Sequence, residues 1–331
     1  MEAGGVRLIR TQSLPSWTSV LLLILAALGG AMAYPGLLAG QVLLNLLIDN
    51  AFLLVVAVGM SFVILSGGID LSVGSVVALT TMLLALGVER AHLSPWILIP
   101  LLIAAGAAFG ALMGWVIQVF DVPAFIVTLA GLFLARGLCY VLSVDSIAIG
   151  DATLSAWSQA RWPLGSLGEI TPGAAVALVV LALAVWVSRA TPFGRAIFAI
   201  GGQQHSARLM GLPVAATRIA VYAVSGACAA LGGVLFGIYT LSGYGLHAQG
   251  LELDAIAAVV IGGALLSGGT GHVLGALTGV LMLGLIQTLI LFDGSLSSWW
   301  TRIVIGALLG LFCGLQRLLV WWHGHRRLSV S

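Results

Sequence analysis

Few side chains in this sequence could do chemistry, and most of them stand alone. Asp70 and Arg136 are ionisable groups set in long apolar stretches. Asn45, Asn50, Ser61, Ser72, Thr128 and Gln287 are uncharged hydrogen-bonding groups in or beside such stretches. Isolated groups of this kind either tie one helix to another or touch a polar solute. Catalysis is a poor fit. The sequence holds no GxxxxGK[ST] phosphate loop, HExxH, GxSxG elbow, CxxC or GxGxxG. It also lacks a convincing Ser/His, Asp/Asp or histidine-rich pair at membrane depth. His323 and His325 stand beside Arg326 and Arg327. Two histidines alone make a poor metal site, so this reads as a solvated basic tail. Cys139, Cys228 and Cys313 are widely spaced in apolar runs, which suits small packing side chains and neither a disulfide framework nor zinc. Neither a metal nor a cofactor is expected on this chain.

The elements that must position these residues follow from composition. Of 331 residues, 60% are apolar and 7% charged. A soluble domain carries about 25% charged residues. That contrast excludes a water-soluble enzyme, a disordered tail protein and a nucleic-acid binder, and makes lipid the main solvent. All 13 basic residues are scattered arginines, and the net charge is only +2.

A membrane-crossing helix needs about 20 mostly apolar residues. On that ruler the chain offers about ten, near 17–34, 45–66, 71–88, 96–120, 124–142, 173–188, 219–241, 253–266, 273–291 and 299–320. The runs are continuously apolar, which favours helices over barrel strands. The expectation is an all-α polytopic membrane protein, one transmembrane domain over 1–331. The eighth segment is short enough to be re-entrant. Ala31-Met32-Ala33 has the small-x-small form of a cleavage site, but the run before it is long, and an uncleaved first span is favoured. With the N-terminus inside, Arg7, Arg10, Arg189, Arg195, Arg208, Arg218, Arg317, Arg326 and Arg327 all fall on the cytoplasmic side. That bias puts both termini, a tail over 1–16 and another over 321–331, in the cytoplasm. Spans two to five and seven to ten could be halves of opposite orientation.

Two connections exceed simple turns. The outer one, 143–172, carries charges and the interfacial anchors Trp157 and Trp162. The inner one, 189–218, contains Gly201-Gly202 as a helix stop, then Gln203 to Met210 as a short helix, ended by Gly211 and Pro213. Ala207, Leu209 and Met210 would form an apolar knob beside Arg208. Spacing alone leaves two readings open, an ordinary arginine-anchored loop or a docking helix for a soluble partner.

Asp70 also has two readings. Either Ser72 or Asp70 itself can cap the next helix at the cytoplasmic interface, which is favoured. It can also sit in a helix broken at Gly67-Gly68 near the midplane, its polar groups lining a path. Arg136 should pair with an acidic residue or reach for the outer surface, in a structural role. Glu252 and Asp254 open the eighth segment, where the helix dipole favours acids. Binding-protein docking is the alternative for them. Gly262-Gly263 and Gly268-Gly269 read as packing and turn positions.

The inner connection resembles the coupling segment of permease subunits in ATP-binding-cassette importers for monosaccharides, the ribose, xylose and galactose type. Three further stretches are similar to that family: AVGMSFVILSGGIDLSVGS at 57–75, PAFIVTLAG at 123–131, and ELDAIAAVVIGG at 252–263 followed by LSGGTG at 266–271. The likeness runs co-linearly from about Leu44 to about Arg317. Within the family, Asn50-Ala51-Phe52-Leu53 and GSLSSWWT at 294–301 look most like a galactofuranose permease. The family often has Gly-Asn where this chain has Gly202-Gln203, which affects only the start of the short helix.

The resemblance implies a division of labour in a bacterial inner membrane. An extracytoplasmic sugar-binding protein delivers the sugar, and two permease chains, identical or sister, form the pore. Separate ATPase subunits carry ATP and magnesium. They press on Gly201, Gly202, Gln203, Ala207, Arg208, Leu209, Met210 and Gly211. Asn45, Asn50, Ser61, Asp70, Ser72, Thr128 and Gln287 are then the candidates for the sugar path, and Arg136 a structural charge. The sugar is expected to be galactofuranose, with ribose or xylose as alternatives. A stand-alone secondary sugar transporter is the rival class, and the scarcity of ionisable groups in the spans counts against it.

Overall fold

The computed structural model describes residues 14–295 and 299–328. Arg7, Arg10 and most of the expected N-terminal tail lie outside them. So do residues 296–298 of the 294–301 motif and the last three residues. The side chains of Cys313, Arg317, His323, His325, Arg326 and Arg327 likewise lie outside what is described.

The chain is mostly helical. In order the helices are α1 (Leu14–Ala33), α2 (Gly40–Asp49), α3 (Ala51–Leu65), α4 (Val73–Glu89), α5 (Pro95–Val119) and α6 (Ala124–Leu142). There follow α7 (Ala152–Gln159), α8 (Pro172–Ala190), α9 (Pro192–Gly202), α10 (Gln204–Leu209) and α11 (Val214–Thr240). The last are α12 (Leu251–Ile261), α13 (Gly275–Asp293) and α14 (Trp299–Leu328). Each of the ten expected segments carries helix, but the second is broken at Asn50 and the eighth, 253–266, runs past the end of α12 at Ile261. Among the described residues, five helices (α5, α6, α8, α11 and α13) are long and apolar enough to cross a membrane alone. A sixth crossing is made if α2 and α3 count as one span bent by 57° at Asn50. The others are shorter: α4 has 17 residues, α12 has 11, and the apolar parts described for α1 and α14 are 19–33 and 299–312.

The connection 143–171 departs from an all-helical chain. β1 (Ile147–Ala148) pairs antiparallel with β4 (Ser242–Gly243), and β2 (Trp162–Pro163) with β3 (Glu169–Ile170). Asp151 caps α7 by accepting from the Leu154 N–H at 2.9 Å. The Glu89 carboxylate, at the end of α4, accepts from the Gly150 and Asp151 N–H groups at 2.7 and 3.2 Å. Trp157 meets Trp96 edge to face at 5.7 Å. Tied at both ends, this connection is a clasp, and its extended pieces, two residues each, are too brief to register as strands in a hydropathy pattern.

The core is a stack around α11. Lipid gives little hydrophobic drive between helices, so packing has to come from close approach of small residues. α5 supplies Gly106, Gly110 and Gly114, four residues apart on one face. A Cβ on Gly110 would run into the Tyr222 carbonyl, and one on Gly106 or Gly226 into the opposite backbone. Gly59 of α3 meets Cys228 and Ser225, and Gly232 and Gly233 of α11 meet α3 and α4. Cys139 and Cys228 are free thiols. A second seam joins α12 to α13 through Gly262, Gly275 and Gly279. The sequence reading of these glycines as packing positions holds for Gly262.

Gly110→Ala is expected to cost about 1–3 kcal/mol by overpacking the α5–α11 seam. A Cβ on Gly137 meets nothing within 4 Å, so Gly137→Ala should change stability by less than about 1 kcal/mol. Thermal unfolding in detergent compares them, and equal midpoints would contradict the backbone seam.

Candidate functional site

The segment between α8 and α11 is built by turn chemistry. Pro192 opens α9, and the Thr191 hydroxyl accepts from the Gly194 N–H at 3.2 Å. Gln203 is extended, with φ of −160°, and separates α9 from α10. α10 then ends in a Schellman turn: the Leu212 N–H donates to the Ala207 carbonyl at 3.2 Å and the Gly211 N–H to the Arg208 carbonyl at 3.1 Å. That turn needs a left-handed residue, and Gly211 has φ of +77°. Ala207 corrects the expected knob. It is 0% exposed, packed with Ala196, Ile200 and Val214, because an anchoring face is needed to hold so short a helix. Leu209 and Met210 are 76% and 68% exposed, and Arg208 and Gly211 are exposed beside them. A groove lined by Gln118, Arg208, Leu212 and Pro213 runs alongside.

Behind this tip three glycine turns meet. A Cβ on Gly201 would overlap the Leu65 carbonyl and crowd the Gly269 amide, 2.6 Å away. Gly268 lies equally close to Gly67 and to the Gly201 carbonyl. The Gly269 N–H donates to the Leu65 carbonyl at 2.9 Å. Gly67, Gly268 and Gly269 all have positive φ. Thus the α9–α10 segment, the α3–α4 link and the α12–α13 link touch backbone to backbone. Gly202 is exposed, and a Cβ on it would meet nothing within 4 Å, although its own backbone lies against Gly269.

Asp70 lies in the α3–α4 link and is fully buried. One carboxylate oxygen accepts from the Ser72 N–H at 3.0 Å and the Ser72 hydroxyl at 2.6 Å. The other accepts from the Ser225 hydroxyl of α11 at 2.7 Å. Asp70 thus holds Ser72, the residue before α4, but accepts from no N–H of α4 itself, so the expected side-chain cap is not made. Ser72 stands at the cap position but makes no side-chain cap bond of its own. The Tyr222 hydroxyl lies 3.5 Å from the Ile69 carbonyl, and that of Thr128 at 3.4 Å from the same atom and 2.8 Å from Ala124 O.

The remaining candidates do not converge. Asn45 is exposed and accepts from Gln41 at 2.9 Å within α2. Gln287 is exposed on α13. Asn50 is buried at the α2–α3 bend and donates back to the Leu46 carbonyl at 3.0 Å, and Ser61 does the same to Ala57 at 2.8 Å. Only Asp70, Ser72 and Thr128 share a neighbourhood. Arg136 does not use a carboxylate as its hydrogen-bond partner. It donates to the Gly245 and His247 carbonyls at 2.6 and 2.8 Å, because the unwound stretch before α12 leaves carbonyls in need of donors. Arg302 does the same for Gln249 at 2.8 Å. Tyr222 and Ser225 were not singled out in the sequence. Their only signal was being polar in an apolar helix.

A family model described as "branched-chain amino acid transport system / permease component" matches residues 42–312. The chain is 46% identical over 321 residues to the inner membrane ABC transporter permease protein YjfF of Escherichia coli, covering 97% of each. It is 35% identical to the fructose import permease FruG of Bifidobacterium longum, covering 98% of this chain and 96% of that one. It is also 35% identical to the ribose import permease RbsC of Escherichia coli, over 86% of this chain and 88% of that one. No solved structure matches the chain. On this coverage and identity, and with its several membrane-length apolar helices, the chain is a multi-pass inner-membrane protein that belongs to the family of ABC-transporter permease components.

Proposed function

We propose that the chain is the permease subunit of an importer for a monosaccharide, galactofuranose in the first instance, driven by ATPase subunits that bind elsewhere. The observation that carries the coupling is the exposed Leu209–Met210 tip, closed by its Schellman turn and anchored through Ala207 on the helix that ends in Gly201 and Gly202 of the glycine contact. A push there is delivered to the α3–α4 link and the α12–α13 link together. Relatives named for ribose and fructose import support the monosaccharide class. Galactofuranose rests on the 50–53 and 294–301 likeness, with ribose or xylose as alternatives.

In this reading the whole chain is one permease domain with ten crossings, and the segment 189–218 and both termini face the cytoplasm. The bias of arginines toward the α9–α10 end supports that sidedness. The clasp at 143–171 then faces outward, toward an extracytoplasmic binding protein. A second permease chain, identical or sister, completes the pore, and ATP with magnesium stays on the ATPase subunits. Gly201 to Gly211 serve as the coupling surface, with Ala207 as its inward anchor. Asp70, Ser72 and Thr128 hold the link behind it. Asn50 and Ser61 join helices. Asn45 and Gln287, exposed on α2 and α13, are left as path candidates only if a second chain covers them.

Co-purification from native membranes should retrieve an ATPase, a binding protein and a permease chain, and uptake of radiolabelled ribose, fructose, xylose and galactose should name the sugar. Arg208→Glu and Gly211→Ile are each expected to lower that uptake about tenfold or more while the protein accumulates normally. Wild-type uptake in both would refute the docking role. Asp70→Leu strands three buried donors at about 1–3 kcal/mol apiece and should not accumulate as a folded species in detergent gel filtration. Asp70→Asn keeps an acceptor for Ser72 and should fall between. Normal behaviour of Asp70→Leu would show that the carboxylate does not hold the link.

A further inference from the structure

The stretches before α4 and α12 are both unwound, and they approach from opposite ends. Residues 66–72 rise from the three-glycine contact to the start of α4. Residues 244–250 come from the other end. Gly243 packs on Thr81 and Ala85, the His247 ring nitrogen lies 3.4 Å from the Thr81 hydroxyl, and the Ala248 carbonyl lies against Gly74. Gly74 is 15 positions from Glu89, where α4 meets the clasp, or about 22 Å along the helix. So α12 begins deep between the two ends, beside the first turn of α4. The Glu252 carboxylate is seated directly on Gly74. These are the third and eighth apolar segments, corresponding members of the two halves suspected from the sequence.

Two short helices thus meet N-terminus to N-terminus, and both ends carry positive partial charge. Glu252 offsets it, with Asp254 two residues on in the same first turn. Two atoms at this meeting point lack a protein partner. The Ser75 side chain, on the first turn of α4, is completely buried and its hydroxyl bonds to nothing. The Glu252 Oε2 atom is shielded from solvent and likewise unpaired. Among the described residues only four side-chain atoms are in this condition, and two of them lie here. Arg136 and Arg302, from two other helices, hold the Gly245, His247 and Gln249 carbonyls and so fix the unwound wall.

We propose that this junction is the point on the transport path where the solute is read, with Glu252 and Ser75 as specificity-determining side chains. The chemistry selects a neutral polyhydroxyl compound. Two helix N-termini with Arg136 and Arg302 disfavour a cation, and the Glu252 and Asp254 carboxylates offset them, so a neutral polar solute is favoured over an ion of either sign. A sugar hydroxyl donates to the carboxylate and pairs with the serine hydroxyl. The inference rests on the monosaccharide reading above. It differs from the sequence-based path residues, since neither Glu252 nor Ser75 was among them.

The test uses the intact transporter in cells and a panel of radiolabelled ribose, fructose, xylose and galactose, followed by deoxy analogues of whichever sugar is carried. Glu252→Gln keeps the shape and should raise KM about tenfold and erase most of the preference for the parent sugar over one deoxy analogue. Ser75→Ala removes an oxygen that bonds to nothing in the protein, so it cannot unfold the chain, and should raise KM about threefold. A role confined to folding would change the amount of protein and leave the preference intact. If wild type carries a sugar while both variants keep its KM and its discrimination, this inference falls and the monosaccharide reading stands. If Glu252→Gln fails to accumulate, Ser75→Ala alone decides. If wild type carries none of the panel, both readings fall.

Discussion

An unwound backbone buried among apolar helices has no water to turn to, so each of its N–H and C=O groups must be met from within the protein. This one demand explains where the rare polar side chains of the chain are spent. The 66–72 link is held by Asp70, whose two oxygens collect Ser72 and Ser225. The 244–250 stretch, which is only partly buried, with Leu246 and Gln249 exposed, is held by Arg136 and Arg302. The link after α12 is held by a main-chain bond from Gly269 to Leu65. Three breaks in helix thus account for both intramembrane charges that stood out in the sequence. They also explain why neither forms the simple acid–base pair that isolated charges suggest.

The breaks are useful because the rest is so closely packed. Along α5 and α11 the two backbones touch at Gly106, Gly110 and Gly226, with no side chain between them that could slide or change rotamer. Seams of that kind move as units. Any change in the transport path must therefore be taken up where helix is absent, in the links before α4 and α12 and after α12. The three-glycine contact places two of those links against the α9–α10 segment. A displacement there has few ways to dissipate before it reaches Asp70 on one side and the α12–α13 link on the other.

How much of this was legible beforehand depends on whether a feature is local. Membrane segments are read from runs of one composition, and each of the ten expected runs carries helix, though the eighth run overshoots the end of α12 by five residues. The short helix at Gln204–Leu209 was also readable, because Gly201-Gly202, Gly211 and Pro213 are turn residues with local meaning. What failed was orientation and distance. Ala207 looks like its apolar neighbours Leu209 and Met210 in sequence, and only the positions of Ala196 and Ile200 decide that it turns inward. Asn45 and Gln287 resemble Asn50 in type but point outward, since a polar residue in an apolar run says nothing about which face it occupies. The partners of Arg136 lie 109 and 111 positions away and are carbonyls, which every residue has, so no pattern of residue types could mark them.

The same limit bears on the suspected internal repeat. Identity between the halves is thin, yet the third and eighth segments share a physical arrangement: each is a short helix, each is preceded by an unwound stretch, and the two begin side by side from opposite ends. Inverted halves need not share residues to share this geometry, because the constraint acts on backbone groups. On one side the donors are collected by a carboxylate on the unwound stretch itself. On the other, carbonyls are collected by arginines from neighbouring helices. Opposite chemical solutions to one backbone problem leave little in common for a comparison of residues to find, while placing two helix N-termini, a carboxylate and a buried hydroxyl at a single depth.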